Sequence, residues 1–124
     1  MAAILFAREG AKVAIGDILD AEGKQVEVDI NESGGECLFV HLDVASEADW
    51  LHAVESTVAR FGKLNVLVNN ADIGSPRGPD GQRVAIENLT EDQWDLVMHV
   101  NAKGVLLGTK HAIQEMRKAG GGSI

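Results

Sequence analysis

The fold is decided by one short run near the middle of the chain, Leu64-Asn65-Val66-Leu67-Val68. The run is mostly apolar and does not alternate strictly between polar and apolar residues, which is typical of a strand buried on both faces of a parallel sheet. It ends at Asn69, where a polar segment begins. We therefore predict a β-strand over residues 64–69.

Similar runs lie on both sides of this segment. They predict strands over 12–17 and 36–42 and the start of a strand at 123–124. Helical segments lead into them, at 2–9, 20–32, from Ser46 to Gly62 and from Thr90 to Gly120, and Thr90 with Gln93 has the pattern of a capping box. Strands that alternate with helices form parallel, right-handed β-α-β units. The prediction is one α/β domain over residues 1–124.

Composition excludes several classes of partner. The chain has 19 acidic and 11 basic residues and a net charge of −8, which repels both a phosphate backbone and an anionic bilayer. We expect neither nucleic acid nor membrane as a partner. The one cysteine, Cys37, cannot form a disulfide framework, so a reducing cytoplasmic location is expected. Four histidines lack metal-ligand spacing with Cys37 or with one another, so no metal site is expected: His41, His52, His99 and His111.

Polar residues follow directly after the predicted strands, where ligands of open parallel sheets bind. They are Asp17, the pair Asp43-Val44 and the segment 69–72. A carboxylate at such a position accepts hydrogen bonds from both hydroxyls of an adenosine ribose and repels a 2′-phosphate. The next residues, Ile18 and Leu19, supply no cation for such a phosphate. Asp17 thus favours NAD over NADP, although a simple turn acid is an equal alternative.

Two motifs resemble the short-chain dehydrogenase/reductase family. They are Leu67-Val68-Asn69-Asn70-Ala71 and Asn101-Ala102-Lys103-Gly104, and the resemblance covers essentially the whole chain. It implies a partial Rossmann-type doubly wound parallel sheet and hydride transfer between NAD and a secondary alcohol or ketone. It also implies that Asn70 and Ala71 pass beside the adenine ribose and that Asp43 and Val44 contact adenine.

The resemblance also implies roles for the helix around residues 91–118. Asn101 would bend it locally and hold a water molecule in the proton relay; the alternative is a polar residue satisfied within its helix. Gly104 and Gly108 indicate close helix packing. Because this helix often lies at a subunit interface in the family, a homo-oligomer is expected.

The chain departs from the family pattern in three ways. Asp72 replaces a glycine and brings a charge close to the cofactor, so we expect it to weaken binding. The sequence has no tyrosine for the family's Tyr-X-X-X-Lys motif, and Ser123 lies too early to be the catalytic serine. The family's glycine-rich turn and central first strand would precede Met1, and loss of that strand would split the sheet into two pairs. We expect a fragment of a longer product, inactive alone.

Two hypotheses of function follow from the sequence. The chain is a segment of an NAD-dependent oxidoreductase, with Asp17, Asp43, Val44, Asn70, Ala71 and Asp72 in cofactor binding and Asn101 in the proton relay. The alternative is a non-catalytic nucleotide-binding or assembly module derived from the same fold. A calorimetric titration with NAD distinguishes a binding module from an inert fragment.

Overall fold

The computed structural model describes residues 2–124 and has a parallel two-stranded sheet at its centre. Strand β1 (Lys12–Asp17) follows helix α1 (Ala2–Arg8), and helix α2 (Asp20–Glu32) connects it to strand β2 (Glu36–His41). The register runs without a break from Lys12 opposite Glu36 to Asp17 opposite His41. The predicted α/β class and the parallel pairing are confirmed.

Local capping residues set the ends of the next two helices. Helix α3 (Glu47–Phe61) begins where the Ser46 hydroxyl accepts a hydrogen bond from the Asp49 amide. It ends at Gly62, whose φ of 85° is a left-handed conformation that glycine adopts without a steric cost. Helix α4 (Glu91–Met98) begins with the complete capping box of Thr90 and Gln93 that the sequence predicts.

The segments predicted as strands over 64–69 and at 123–124 form a single parallel bridge instead of a longer ladder. The Leu67 amide donates to the Ser123 carbonyl at 3.0 Å, and the Ser123 amide donates to the Asn65 carbonyl at 2.9 Å. Among residues 2–124 no other strand pairs with this segment. The described residues thus contain one strand pair, β1 with β2, and this one parallel bridge in place of the second pair. The strand expected to reach residue 42 ends at His41, although the Leu42 amide still donates to the Asp17 carbonyl.

The helix predicted to begin after Thr90 is interrupted. Helix α4 passes into a π-helical turn over His99–Lys103, and helix α5 (Gly104–Lys118) follows without a loop. A π-helical turn contains one residue more than an α-helical turn and re-aims the side chains that follow it. The long loop that precedes α4 contains a short 3₁₀ turn at Ile86–Asn88.

Two apolar clusters pack on opposite faces of the sheet, because alternate residues of a strand point to opposite faces. One lies against α1 and α2 and contains Ala7, Ile30 and Cys37. The other lies against α3 and α5 and contains Val40, Leu42, Trp50, Ala53 and Leu107.

Helix α5 approaches α3 closely at a glycine. A Cβ atom at Gly108 would lie 2.7 Å from the Trp50 ring, which confirms the close packing that the Gly-X-X-X-Gly spacing predicts. Within residues 2–124, none of the helices combines the length and the apolar character needed to cross a bilayer.

Candidate functional site

Asp17 lies at the carboxyl end of β1, exposed to solvent. Its Oδ1 atom accepts a hydrogen bond from the Leu19 amide at 3.0 Å, so it shapes the turn into α2. The sheet register places Asp17 beside His41 of β2, whose Nδ1 lies 2.8 Å from Oδ1 of Asp20. That hydrogen bond raises the pKa of His41 above its ordinary value. Asp17 therefore lies at the end of the strand where the sequence places it, and it acts as a turn acid.

The loop after β2 carries Asp43 and Val44. The Asp43 carboxylate accepts from the Ala45 amide at 2.8 Å, and the Asp43 amide donates to Oδ2 of Asp49 at 3.0 Å. Hydrogen bonds from the Asp43 amide and from the Ser46 hydroxyl hold the pKa of Asp49 below its ordinary range. Because β1 and β2 are parallel, this loop and Asp17 lie at the same end of the sheet.

Asn70, Ala71 and Asp72 follow the bridged segment 64–69 and are all exposed. The loop that carries them is fixed at Ile73, whose amide donates to Oδ1 of Asn101 at 2.9 Å. The Asn101 amide group in turn donates to the Ile73 carbonyl at 2.8 Å. Asn101 is therefore satisfied, but by the backbone of a residue 28 positions away instead of within its own helix.

This pair of hydrogen bonds occupies both polar atoms of the Asn101 side chain. The residue lies in the π-helical turn, so the local distortion of the helix falls where the motif implies it. The side chain itself holds the loop after residue 69.

Sequence reasoning missed two further contacts, one made by this turn and one made by the first residue of α5. The Lys103 ammonium donates to the Ala45 carbonyl at 2.9 Å, and a Cβ at Gly104 would lie 2.8 Å from Cγ2 of Val44. The turn thus touches both loops that carry predicted cofactor residues. Lys103 lies inside the quoted Asn-Ala-Lys-Gly motif, but nothing in the motif indicates which carbonyl it reaches.

Two open depressions lie away from these residues. One, of about 460 Å³, is lined by residues around Trp94 and Ile86. The other, of about 400 Å³, lies along β2 between Lys24, His41 and Ser56. Neither is lined by any of the predicted site residues. The candidate site is therefore an exposed sheet end with loops around it, a place where carboxylate and amide oxygens can accept hydrogen bonds from sugar hydroxyls and base amino groups.

Comparison with known proteins places the chain in one family. The short chain dehydrogenase family profile matches residues 1–124. An uncharacterized oxidoreductase of Thermotoga maritima is 45% identical over 123 residues, 99% of this chain and 45% of that protein. A 3-alpha-(or 20-beta)-hydroxysteroid dehydrogenase of Mycobacterium tuberculosis is 42% identical over 119 residues, which cover 94% of this chain and 41% of that protein.

A solved structure agrees with these matches. A 3-ketoacyl-ACP reductase from Sinorhizobium meliloti superposes with a TM-score of 0.87 at 28% identity, over 97% of this chain and 45% of that one. The chain thus spans less than half the length of each of these three proteins. The order and spacing of the motifs around Asn70 and Asn101 agree with the profile match, and the chain belongs to the short-chain dehydrogenase/reductase family.

Proposed function

We propose that this chain is the adenosine-binding part of an NAD-dependent oxidoreductase that transfers hydride between NAD and a secondary alcohol or ketone. The observation that carries the proposal is the exposed carboxylate of Asp17 at the carboxyl end of β1, with only one of its oxygens engaged by Leu19 among residues 2–124. The other oxygen can accept from a ribose hydroxyl. The matched relatives have oxidoreductase or dehydrogenase names, which supports this function over a non-catalytic module.

The residues present fit the adenosine half of the cofactor. Asp17 provides acceptors for the ribose, and Asp43 and Val44 lie on the neighbouring loop at the same sheet end. A 2′-phosphate would meet the Asp17 charge with apolar Ile18 and Leu19 beside it, so NAD is favoured over NADP. When bound, NAD supplies the group that accepts or donates the hydride. We also propose a cytosolic location, which the buried free thiol of Cys37 supports.

Calorimetric titration of the chain with NAD and NADP tests the cofactor assignment. We expect measurable NAD binding, weaker NADP binding and loss of most NAD affinity in Asp17→Ala. Asp29→Ala, which removes an exposed carboxylate on α2 that bonds only Gln25, is the matched control. Equal NAD affinity in Asp17→Ala and the control would leave Asp17 as a turn acid only.

Asp72 offers a second test of the same site. The exposed carboxylate stands where the family has glycine, and its charge would oppose a bound pyrophosphate. Asp72→Gly should therefore bind NAD more tightly than the natural sequence, with the difference shrinking as salt is added. An unchanged affinity would show that Asp72 does not face the cofactor.

We propose that the chain alone does not turn over, because its sequence has no tyrosine to act as the family's general acid or base. Incubation with NAD and a panel of secondary alcohols, followed at the nicotinamide absorbance, tests this. Turnover that persists after repurification would show that another group in the chain moves the proton.

We further propose that α5 mediates homo-oligomer formation. Its outer face exposes Leu106 at 65% and Ile113 at 37%, and residues seven apart share one face of a helix. Sedimentation equilibrium of the natural chain and of Leu106→Lys tests the interface, with Gln114→Lys as an exposed polar control on the same helix. A monomeric natural chain at all concentrations would contradict it.

A further inference from the structure

We propose that Lys103 is a positioning residue for the adenine-binding loop 43–46, acting from the π-helical turn. The proposal rests on the proposed NAD binding, because it concerns the loop that would contact adenine. In this role Lys103 does not contact the cofactor. It holds the backbone of the loop in place through the Ala45 carbonyl, which it reaches at 2.9 Å.

Three successive carbonyls of this loop have three different hydrogen-bond donors. The Asp43 carbonyl accepts from the Ser46 amide at 2.9 Å, within the loop itself. The Val44 carbonyl accepts from the Trp50 indole at 2.9 Å, from the helix that follows. The Ala45 carbonyl accepts from Lys103, 58 residues further along the chain. Within the described residues, Lys103 makes the one side-chain hydrogen bond that joins this loop to the helix carrying Asn101.

The π-helical turn lies between two loops. Residues two positions apart lie on nearly opposite sides of a helix. Asn101 accordingly reaches the Ile73 backbone on one side, and Lys103 reaches the Ala45 carbonyl on the other. One five-residue turn therefore connects the loop after segment 64–69 with the loop after β2.

Gly104 adds a steric constraint at the same place. It is buried, and a Cβ atom there would lie 2.8 Å from Cγ2 of Val44 and 3.4 Å from the Val44 carbonyl oxygen. The first residue of α5 thus packs closely against Val44 while Lys103 holds the next residue. A hydrogen bond on one side and close packing on the other define the position of the Val44 backbone, whose amide can donate to the edge of a base.

Lys103→Met tests the role, because it keeps most of the apolar stem and removes the ammonium donor. Lys103→Arg restores a donor, and Lys118→Met is the matched control, since Lys118 lies at the end of α5 and pairs with Glu115 of the same helix. The chain is titrated with NAD and with the hypoxanthine analogue of NAD, which differs at the base alone. Amide hydrogen exchange is followed at residues 43–46 and at Ile73.

We expect the amide hydrogens of residues 43–46, but not that of Ile73, to exchange faster in Lys103→Met. We also expect this variant to bind NAD roughly fivefold more weakly and to discriminate less between the two bases, as loss of one hydrogen bond implies. Lys103→Arg should recover both properties, and Lys118→Met should retain them. A purely structural role would weaken both dinucleotides equally and leave the ratio unchanged. Unchanged exchange and an unchanged ratio in Lys103→Met would overturn the proposal. If the natural chain binds no NAD, the proposed function fails, while exchange at 43–46 still decides whether Lys103 holds the loop.

Discussion

The two edges of the β1–β2 sheet differ in the hydrogen-bond partners of their backbone groups. Along the outer edge of β2, side chains of helix α2 take the place of a neighbouring strand. Along the other edge, on β1, no group within residues 2–124 does so. The contrast shows that an isolated strand edge can be closed by side chains from a single helix, provided that the helix presents acceptors and donors at the spacing of the strand.

The closed edge follows the two-residue period of β2. Cys37, Phe39 and His41 point their backbone groups outward, since the Leu42 amide, one residue out of phase, bonds Asp17 of β1. Asn31 accepts from the Cys37 amide at 2.8 Å and donates to its carbonyl at 3.2 Å. Glu27 accepts from the Phe39 amide at 2.9 Å.

The same register determines which backbone groups of β1 face the open edge. The peptide groups of Lys12, Ala14 and Gly16 point away from β2, and none has a hydrogen-bond partner in the described part of the chain. Segment 64–69 likewise has one paired and one open edge. The backbone groups of Asn65 and Leu67 bond Ser123, while Val66 and Val68 are 57% and 54% exposed. Unpaired edges of this kind are templates for association with other strands.

The largest effect should come from opening the closed edge at Asn31. Asn31→Ala leaves both backbone groups of Cys37 without a partner beside a residue that is 3% exposed. We expect the free energy of unfolding to fall by about 2 kcal/mol, measured by urea denaturation. Gln25→Ala on the same helix, which loses only an exposed pair with Asp29, should change it by less than about 0.5 kcal/mol. Equal losses in the two variants would show that the edge is not held by Asn31.

The sequence predicts those features that depend on neighbours along the chain. The caps at Ser46 and Thr90 are local, and both are found where the sequence places them. The apolar run at 64–69 was predicted as a strand, but pairing depends on a neighbour and only one bridge forms. A strand pattern specifies an extended segment and not its partner.

The site residues also divide into features that the local sequence predicts and contacts that depend on distant residues. The motif identifies Asn101, but its partner Ile73 lies 28 residues away and depends on how α4 folds back on the loop. Lys103 reaches Ala45 across 58 residues, and Asn31 closes β2 through a contact between a helix and a strand edge. Such contacts are set by tertiary packing, so periodicity and propensity carry no signal for them.

A smaller effect is expected at Glu27, the second group of the closed edge. Glu27→Ala removes the acceptor of the Phe39 amide and should lower the free energy of unfolding by about 1 kcal/mol. Glu27→Gln keeps an acceptor oxygen and should retain most of the stability. Urea denaturation at pH 7 distinguishes the two variants. If the glutamine variant is as unstable as the alanine variant, the negative charge and not the hydrogen bond closes the edge.

The charge of Glu27 has its own measurable consequence at Cys37. Burial, and then the Glu27 carboxylate, raise the pKa of the Cys37 thiol from 9.0 to about 11. Because the folded chain holds the proton more tightly than the unfolded chain, this stabilisation is complete below pH 9 and is lost as the pH rises towards 11. Cys37→Ala should remove that loss between pH 9 and 11. Glu27→Gln should make Cys37 react faster with iodoacetamide at a given pH, whereas an unchanged rate would mean that burial alone sets the pKa.

A substitution at the open edge should change the association of the chain and leave its free energy of unfolding almost unchanged. Ala14→Lys places a charge on an exposed position of β1 without removing a hydrogen bond. We expect the free energy of unfolding to change by less than about 0.5 kcal/mol, while aggregation during concentration slows, as followed by light scattering. Ala59→Lys, at an exposed position of α3 and with the same change of one charge, is the control. Equal slowing by the two substitutions would assign the effect to an added lysine at any exposed position and not to the edge.

The smallest effect is expected where the closed edge meets the candidate site, at His41. Its ring bonds Asp20, both side chains are more than half exposed, and this hydrogen bond raises the pKa of His41 above 6.5. The charged pair therefore contributes below the unfolded pKa, and its contribution is lost as the pH rises through the folded pKa. Asp20→Asn should return the His41 pKa, measured by NMR titration of the ring protons, towards 6.5. A His41 pKa that stays raised in Asp20→Asn would assign the shift to the charges of Asp43 and Asp49.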